Sequence, residues 1–364
     1  QDADNAITAA TDVAQAWANT PAPQRGAALY KTLDIMALRT DELAKAITIE
    51  EGKPIMDAVG EVKRAMNIIE YAAGEGRRLF GYTTPSELPE TVAYTVKRPI
   101  GVVAIITPWN FPLAIPAWKI APCLIAGNTV VYKPASATPL SAVKLVEIFE
   151  EAGLPPGVIN LVTGPGRSVG NTLVEDQRVG GISFTGSTEI GTSITARASE
   201  LLKKVQCEMG GKNAAIILND ADLEKAASGV VQGAFGSTGQ RCTATSRAIV
   251  EEGIYDEFMQ ILIAQTKALT IGDGMDPAKD IAPLSSRNQL DTVLEYIGIG
   301  TEEGARLTLG GDRLQDGEFS EGYYIEPTIF TEVKTKMRIA REEIFGPVLS
   351  VFRASDLQDA VRIS

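Results

Sequence analysis

Residues 101–136 read GVVAIITPWNFPLAIPAWKIAPCLIAGNTVVYKPAS. Two short apolar runs, Val102–Ile106 and Thr129–Lys133, flank an apolar stretch at 113–125 that is long enough for a helix. A strand, a helix and a second strand in this succession predict two parallel strands joined by a crossover helix.

The same alternation continues toward the carboxyl terminus. Further strands are predicted at 158–162, 181–184 and 203–207, with helices near 140–152, 168–174 and 189–199. A second cycle begins with a strand at 214–218, a helix from Asp222 and a strand at 248–250. We therefore predict an α/β fold with a parallel sheet covered by helices, and a domain boundary at Gly210-Gly211 that separates residues 1–209 from 210–364.

The residues before this region follow a different pattern. Residues 1–75 are rich in alanine, with apolar positions at three- and four-residue spacing, and are predicted to be helical. Residues 82–99 contain the alternating, β-branched segment 91–96, which predicts one strand of a hairpin or of a protruding ribbon.

Composition excludes several classes of function. The 364 residues carry 34 Lys+Arg against 46 Asp+Glu, and the net charge of −12 argues against binding to nucleic acid or to an anionic membrane. Three cysteines (Cys123, Cys207 and Cys242) form no disulfide framework, which predicts a reducing, cytoplasmic location. No apolar run is long enough to span a bilayer. The chain starts at Gln1 and stops at Ser364 inside a predicted helix, so we expect some site residues to lie beyond the ends.

The absence of histidine restricts the possible nucleophilic chemistry. Cys242 ends the glycine-bearing stretch STGQRC at 237–242, next to Arg241, which either favours the thiolate or points to solvent. Glu208 opens the stretch EMGGK at 208–212 and offers a carboxylate that can act as a base. Cys123 lies in a predicted apolar helix and Cys207 at a predicted strand end, and both are predicted to be core thiols.

Four loops that follow strands have alternative interpretations. The turns TGPG at 163–166 and FTGS at 184–187 are either phosphate-binding turns at helix starts or merely tight turns. Lys133 either binds a ribose or phosphate, or is a solvated residue at a strand end. Asn110, in PWNFP, either donates its amide to an oxyanion or belongs to a packed loop.

Taken together, these stretches resemble the aldehyde dehydrogenase superfamily over essentially the whole chain. The motifs that carry the resemblance are PWNFP (108–112), KPAS (133–136), FTGS (184–187), EMGGK (208–212), GQRC (239–242) and EEIFGP (342–347). The resemblance implies a Rossmann-like NAD(P)-binding domain at 1–209, with an oligomerisation ribbon near 82–99, and a catalytic domain at 210–364. It also implies a homodimer or homotetramer.

The resemblance implies a covalent mechanism and assigns three catalytic residues. Cys242 would attack the aldehyde, Asn110 would hold the oxyanion, and Glu208 would activate water to hydrolyse the thioester. The implied cofactor is NADP, or less favourably NAD, because Ser136 stands where the family often carries an acid. The implied cofactor-binding residues are Thr107, Trp109, Lys133, Ser136, Gly166, Gly186, Ser187, Glu343 and Phe345. No metal site is predicted.

Within the family, the chain is most similar to 2-oxoglutarate semialdehyde (2,5-dioxopentanoate) dehydrogenases. Relatives that oxidise succinate semialdehyde tend to carry an arginine at the position of Trp118, which argues mildly against that substrate. Succinate semialdehyde or a broad range of aldehydes nevertheless remains the alternative. A noncatalytic binding protein of the same fold is a second class of function, and the presence of Cys242 and Glu208 argues against it. Glu208 also favours hydrolysis over release of the thioester to phosphate or coenzyme A.

Overall fold

A computed structural model describes residues 1–364 as two compact units. The first unit contains Gln1–Ile47 and Val59–Met209, and the second contains Thr48–Ala58 and Gly210–Ser364. The short segment from Thr48 to Ala58 thus belongs with the carboxyl-terminal half of the chain. No helix has the length and apolar character that crossing a membrane requires.

The first unit is built on a five-stranded parallel sheet. Its strands are β3 (Val102–Ile106), β4 (Thr129–Lys133), β5 (Ile159–Leu161), β6 (Val179–Thr185) and β7 (Lys204–Glu208). They lie in the order β5-β4-β3-β6-β7. The helices that precede and connect them are α1 (Asp2–Asn19), α2 (Ala22–Leu38), α3 (Thr40–Glu51), α4 (Ile55–Glu75), α5 (Ala114–Ile125), α6 (Pro139–Glu151), α7 (Asn171–Glu175) and α8 (Thr188–Glu200). The predicted parallel sheet is confirmed, with strand ends that differ by one or two residues.

The centre of this sheet explains its continuous apolar sequence. Every residue of β3 and β4 is buried, since parallel strands covered on both faces leave no side for polar residues. The edge strand β7 instead alternates between exposed and half-buried residues. A π-helical turn at Gly166–Gly170 leads into α7, so the predicted helix at 168–174 begins irregularly.

The predicted ribbon contains a short antiparallel pair. Strands β1 (Thr83–Thr84) and β2 (Ala93–Tyr94) pair with Thr83 opposite Tyr94. Nearly all of the surrounding residues are exposed, including Tyr82 and Val92. The role of this ribbon in oligomerisation stays a prediction.

The second unit contains a five-stranded mixed sheet with the order β10-β13-β14-β9-β8. Only β10 runs antiparallel to its neighbour, so four of the strands continue the predicted parallel pattern. The strands of this unit are β8 (Ala214–Ile217), β9 (Arg247–Glu251), β10 (Arg306–Leu309), β11 (Arg313–Leu314), β12 (Tyr324–Ile325), β13 (Thr328–Thr331) and β14 (Val348–Ala354). Its helices are α9 (Leu223–Phe235), α10 (Tyr255–Lys267), α11 (Arg287–Glu302), α12 (Arg338–Arg341) and α13 (Leu357–Ile363).

The predicted start of α9 is confirmed by its cap. The Asp222 carboxylate accepts a hydrogen bond of 3.2 Å from the Lys225 backbone N–H, as expected of an aspartate at the N-cap position. The five-stranded sheet and the helices of this unit confirm the α/β class predicted for the second half of the chain.

Candidate active site

In the first unit, most of the predicted site residues gather at the carboxyl ends of the parallel strands. Thr107 follows β3, and its backbone N–H donates to the Lys133 carbonyl at the end of β4. The same edge holds Thr185, which lies opposite Glu208 in the pairing of β6 with β7. Ligands of open parallel sheets bind at this edge.

Lys133 is not the solvated residue of the alternative interpretation. It is only 5% exposed, and its ammonium donates to the Pro134 carbonyl at 2.9 Å. Burial lowers the pKa of Lys133, because the charged form loses its hydration. A buried ammonium at a strand end has donors left for ribose hydroxyl groups or a phosphate.

The two glycine turns follow strands β5 and β6 at the same edge of the sheet. The exposed Ser136 donates its hydroxyl to the Gly164 carbonyl at 3.3 Å, which joins the KPAS and TGPG motifs. Gly166 begins the π-helical turn that precedes α7. The Gly186 N–H donates to the Glu208 carbonyl, and the Ser187 hydroxyl caps α8 by accepting from the Ile190 N–H at 3.4 Å. The backbone N–H groups at the start of α8 suit an anionic ligand.

Asn110 lies between β3 and α5 and is 3% exposed, whereas the neighbouring Trp109 is half-buried. The start of α5 is held by the buried carboxylate of Glu61, which accepts from the N–H groups of Leu113 and Ala114 at 2.8 and 3.0 Å. This carboxylate fixes the loop that carries Asn110, since it satisfies two N–H groups that no helical carbonyl can reach.

Glu208 ends the edge strand β7, and its side chain is held by a hydrogen-bonded chain. The Gln206 amide nitrogen donates to the Glu208 carboxylate at 2.6 Å. The Gln206 amide oxygen accepts from the Lys119 ammonium at 3.1 Å and from the Ser183 hydroxyl at 2.7 Å. Because both donors require the oxygen, the amide nitrogen has to face Glu208.

Lys119 is the buried cation of this chain of hydrogen bonds. It is 5% exposed and also donates to the Phe184 carbonyl at 3.2 Å. Burial lowers the pKa of Lys119 to about 8, and the nearby Glu208, Cys123 and Cys207 partly oppose that shift.

In the second unit, Cys242 follows a turn of unusual backbone conformation. Ser237, Thr238 and Gly239 have φ values of 50°, 55° and 68°, so three successive residues adopt the left-handed region. Two of them carry side chains, and such residues store strain that the surroundings must offset. The Cys242 carbonyl accepts from the Asn213 amide at 2.8 Å, and none of the three cysteines is in a disulfide.

Arg241, beside the cysteine, does not point to solvent. Its guanidinium donates to the carbonyls of Gln232 and Gly233, in the last turn of α9, at 2.6 and 2.8 Å. Burial lowers its pKa, while the nearby Asp57 and Cys242 act in the opposite direction. The arginine therefore anchors the cysteine turn to a helix end.

Glu343 and Phe345 also lie in the second unit, and Glu343 is close to Gly210 and Gly211. The Gly211 N–H donates to the Glu343 carboxylate at 3.3 Å. A side chain at Gly210 would collide with that carboxylate, which accounts for the glycine. Burial raises the pKa of Glu343, and the Gly211 hydrogen bond opposes the shift. Phe345 has a φ of 59°, and its carbonyl accepts from the Gln289 amide at 2.9 Å.

Within each unit, the structure brings together motifs that are far apart in sequence. A side chain at Gly239 would strike the Gly346 carbonyl, so the GQRC and EEIFGP motifs are in close contact. Sequence reasoning missed the residues that support these motifs, among them Asp57, Glu61, Lys119 and Gln206. Of these, only Lys119 has a local signal, because it is the one charged residue of the apolar helix α5.

The two remaining cysteines are half-buried rather than fully buried. Cys123 lies in α5, where burial raises the pKa of its thiol to about 12, so it is inert at neutral pH. Cys207 lies in β7 within 3.4 Å of the Thr195 hydroxyl. The prediction that both cysteines are core thiols is therefore corrected: each is only partly buried.

Comparisons with known proteins agree over the full length. The model of the aldehyde dehydrogenase family matches residues 1–364. The chain is 48% identical to alpha-ketoglutaric semialdehyde dehydrogenase of Bacillus subtilis (strain 168), and the match spans 100% of this chain and 75% of that protein. It is 46% identical to 2,5-dioxopentanoate dehydrogenase of Saccharolobus solfataricus, again over 100% of this chain and 75% of the relative. The solved structure of 3,6-anhydro-L-galactose dehydrogenase in complex with NAP (NADP) superposes with a TM-score of 0.97 at 39% identity, and the match covers 100% of this chain and 76% of that one.

Proposed function

Because the chain belongs to the aldehyde dehydrogenase family and is an NAD(P)-dependent aldehyde dehydrogenase, we propose that it oxidises 2-oxoglutarate semialdehyde to 2-oxoglutarate. The observation that carries this proposal is the identity of 48% and 46%, over the whole chain, to two relatives with names that specify this substrate. Succinate semialdehyde or a broader range of aldehydes is the alternative.

In the proposed reaction, the Cys242 thiolate forms a bond to the aldehyde carbon. The oxygen of the resulting thiohemiacetal is held by the Asn110 amide and the Cys242 backbone N–H. Glu343 and Phe345 would hold the nicotinamide end of NAD(P), which would supply the acceptor for the hydride of that carbon, and the acyl group would stay on Cys242 as a thioester. Glu208 takes a proton from water, the water oxygen attacks the thioester, and the acid leaves as the carbon–sulfur bond breaks.

The geometry within each unit supports these roles. The Cys242 turn is held by Asp57, Arg241 and Asn213, which limits the positions that the thiol can adopt. The Gln206 amide orients the Glu208 carboxylate, and Glu61 fixes the loop of Asn110. Preorganised groups of this kind lower the cost of reaching the transition state.

We further propose that NADP is the preferred cofactor. Lys133 and Ser136 would hold the adenosine ribose and its 2′-phosphate, and Ser136 presents a hydroxyl where a carboxylate would repel that phosphate. On the nicotinamide side, Glu343 would accept from the ribose, in a cradle that the glycine at position 210 leaves open. The other proposed contacts come from Thr107, Trp109, Gly166, Gly186, Ser187 and Phe345.

The exposed β1–β2 ribbon supports a proposal on assembly. An exposed strand pair invites pairing with another subunit, so we propose a homodimer or homotetramer. We also propose a cytoplasmic location, because none of the three cysteines is in a disulfide.

The proposal is tested by measuring NADPH formation by the full-length protein, with 2-oxoglutarate semialdehyde, succinate semialdehyde and uncharged aldehydes as substrates. Turnover of the first substrate should be preferred, and the Cys242→Ala variant should abolish it. Glu208→Gln should release about one equivalent of NADPH rapidly and then slow by a factor of about 100 or more, since the thioester accumulates. Preference for another aldehyde would overturn the substrate, and a fully active Cys242→Ala would overturn the mechanism.

A further inference from the structure

An unpaired cation lies over Trp118 in the first unit. The guanidinium carbon of Arg64, in α4, is 5.7 Å from the centroid of the Trp118 ring, in α5. Arg64 is exposed, and it has no carboxylate within ion-pair distance. The indole holds the guanidinium through its ring face, so the N–H donors stay available for another partner.

The position of this cation follows from how α4 and α5 pack. Glu61 accepts hydrogen bonds at the start of α5, from Leu113 and Ala114. Arg64 is three residues further along α4, or about one helical turn, and Trp118 is correspondingly further along α5. The packing of α4 against α5 therefore fixes the position of the Asn110 loop and also the position of the Arg64 guanidinium.

The chemistry of a semialdehyde substrate calls for such a group. A molecule with an aldehyde at one end and a carboxylate at the other needs a cation away from the reacting carbon. Arginine suits a carboxylate because its planar guanidinium donates two parallel hydrogen bonds. Position 118, where an arginine would argue for a dicarboxylic semialdehyde, carries tryptophan here, and the cation comes from the neighbouring helix instead.

We propose that Arg64, held over Trp118, binds the carboxylate of the semialdehyde substrate. This inference rests on the proposed function. It makes Arg64 a specificity-determining residue, and it removes the argument that the lack of an arginine at position 118 counts against dicarboxylic semialdehydes.

The test compares an anionic with an uncharged substrate. Arg64→Met should lower kcat/KM for 2-oxoglutarate semialdehyde by about 10- to 100-fold, mainly through KM, because one charge-assisted interaction is lost. The kcat/KM for pentanal should change by less than about twofold, since pentanal has no carboxylate to bind. Arg64→Lys should fall between the wild type and Arg64→Met, because an ammonium keeps the charge and loses the two-pronged geometry.

Lys63→Met is the matched control, because it removes the same charge from the adjacent exposed position of α4. It should leave the preference for the semialdehyde over pentanal unchanged. The proposal is overturned if Arg64→Met lowers kcat/KM equally for both substrates, or if Lys63→Met changes the preference as much as Arg64→Met does.

A binding measurement separates this inference from the proposed function. Calorimetry with 2-oxoglutarate as the probe needs no turnover and reports directly on carboxylate recognition. The dissociation constant should rise about tenfold or more in Arg64→Met and stay unchanged in Lys63→Met. Equal affinities for wild type and Arg64→Met would overturn the inference, whereas a wild-type enzyme that oxidises only uncharged aldehydes would overturn the proposed substrate.

Discussion

The Asp57 carboxylate accepts two hydrogen bonds from Ser237, one from its backbone N–H at 3.0 Å and one from its hydroxyl at 2.8 Å. Ser237 is the first of the three successive left-handed residues of the turn that precedes Cys242. The second, Thr238, donates its hydroxyl to the Ala282 carbonyl. A residue 180 positions earlier in the chain therefore holds the strained turn that carries Cys242.

Replacement of Asp57 should test this support. Asp57→Ala should cost about 1–3 kcal/mol of unfolding free energy, because it leaves the buried Ser237 N–H without an acceptor. It should also slow alkylation of Cys242 by iodoacetamide as the turn relaxes. Asp57→Asn keeps an oxygen acceptor and should retain most of both properties. Wild-type stability and alkylation rate in Asp57→Ala would contradict this account.

Gly210→Ala should weaken cofactor binding. The added methyl group would collide with the Glu343 carboxylate and displace it from the Gly211 N–H. The KM for NADP should rise about tenfold, since one hydrogen bond to the ribose is lost. Gly229→Ala, in α9, is the control, because no heavy atom lies within 4 Å of its added methyl. That variant should keep full activity and gain about 0.5–1 kcal/mol of stability. An unchanged KM in Gly210→Ala would remove Glu343 from the cofactor site.

Ser136→Glu should reverse the preference between the two cofactors. A carboxylate would repel the 2′-phosphate of NADP and accept from the 2′-hydroxyl of NAD, so kcat/KM with NADP should fall about 100-fold while that with NAD is kept. Ser136→Ala removes only the hydroxyl that reaches Gly164 and should have a smaller effect. Steady-state kinetics with both cofactors measures the ratio. A ratio that stays the same in Ser136→Glu would place the ribose elsewhere.

Lys119 should make stability depend on pH in a defined direction. Burial lowers its pKa to about 8 from 10.5, so the folded protein binds fewer protons than the unfolded chain between those values. Below pH 8 both states are protonated and the full cost of burying the charge is present; as the pH rises, the folded state loses that charge and its stability increases. Relative to Lys119→Met, the wild type should gain about 2 kcal/mol between pH 7.5 and 9.5.

Urea unfolding at the two pH values, followed by tryptophan fluorescence, gives this difference. Comparison with the variant removes the contributions of other titrating groups, including the Cys123 thiol, because they are present in both proteins. A difference that does not vary with pH would show that Lys119 keeps its ordinary pKa in the folded protein.

Local sequence patterns were sufficient to predict the main elements. The strands β3 and β4 and the helix α5 lie within one residue of their predicted bounds, because a fully buried strand and an apolar helix each leave a continuous apolar signature. The position of the loops at the carboxyl edge was predictable as well, because parallel strands end on the same side of their sheet. Short elements without such a signature, such as β10 to β12, were not predicted.

The residues themselves determined the α/β class, the order of the strands and helices along the chain and the chemical groups offered at the loop ends. These depend on burial and backbone preference, which repeat over a few neighbouring residues. Only the tertiary structure decided three contacts. Asp57 accepts from Ser237, the Gln206 amide nitrogen donates to the Glu208 carboxylate, and Arg64 lies over Trp118. Such contacts join side chains from separate elements, and their geometry is set by how helices and strands pack rather than by any short run of sequence.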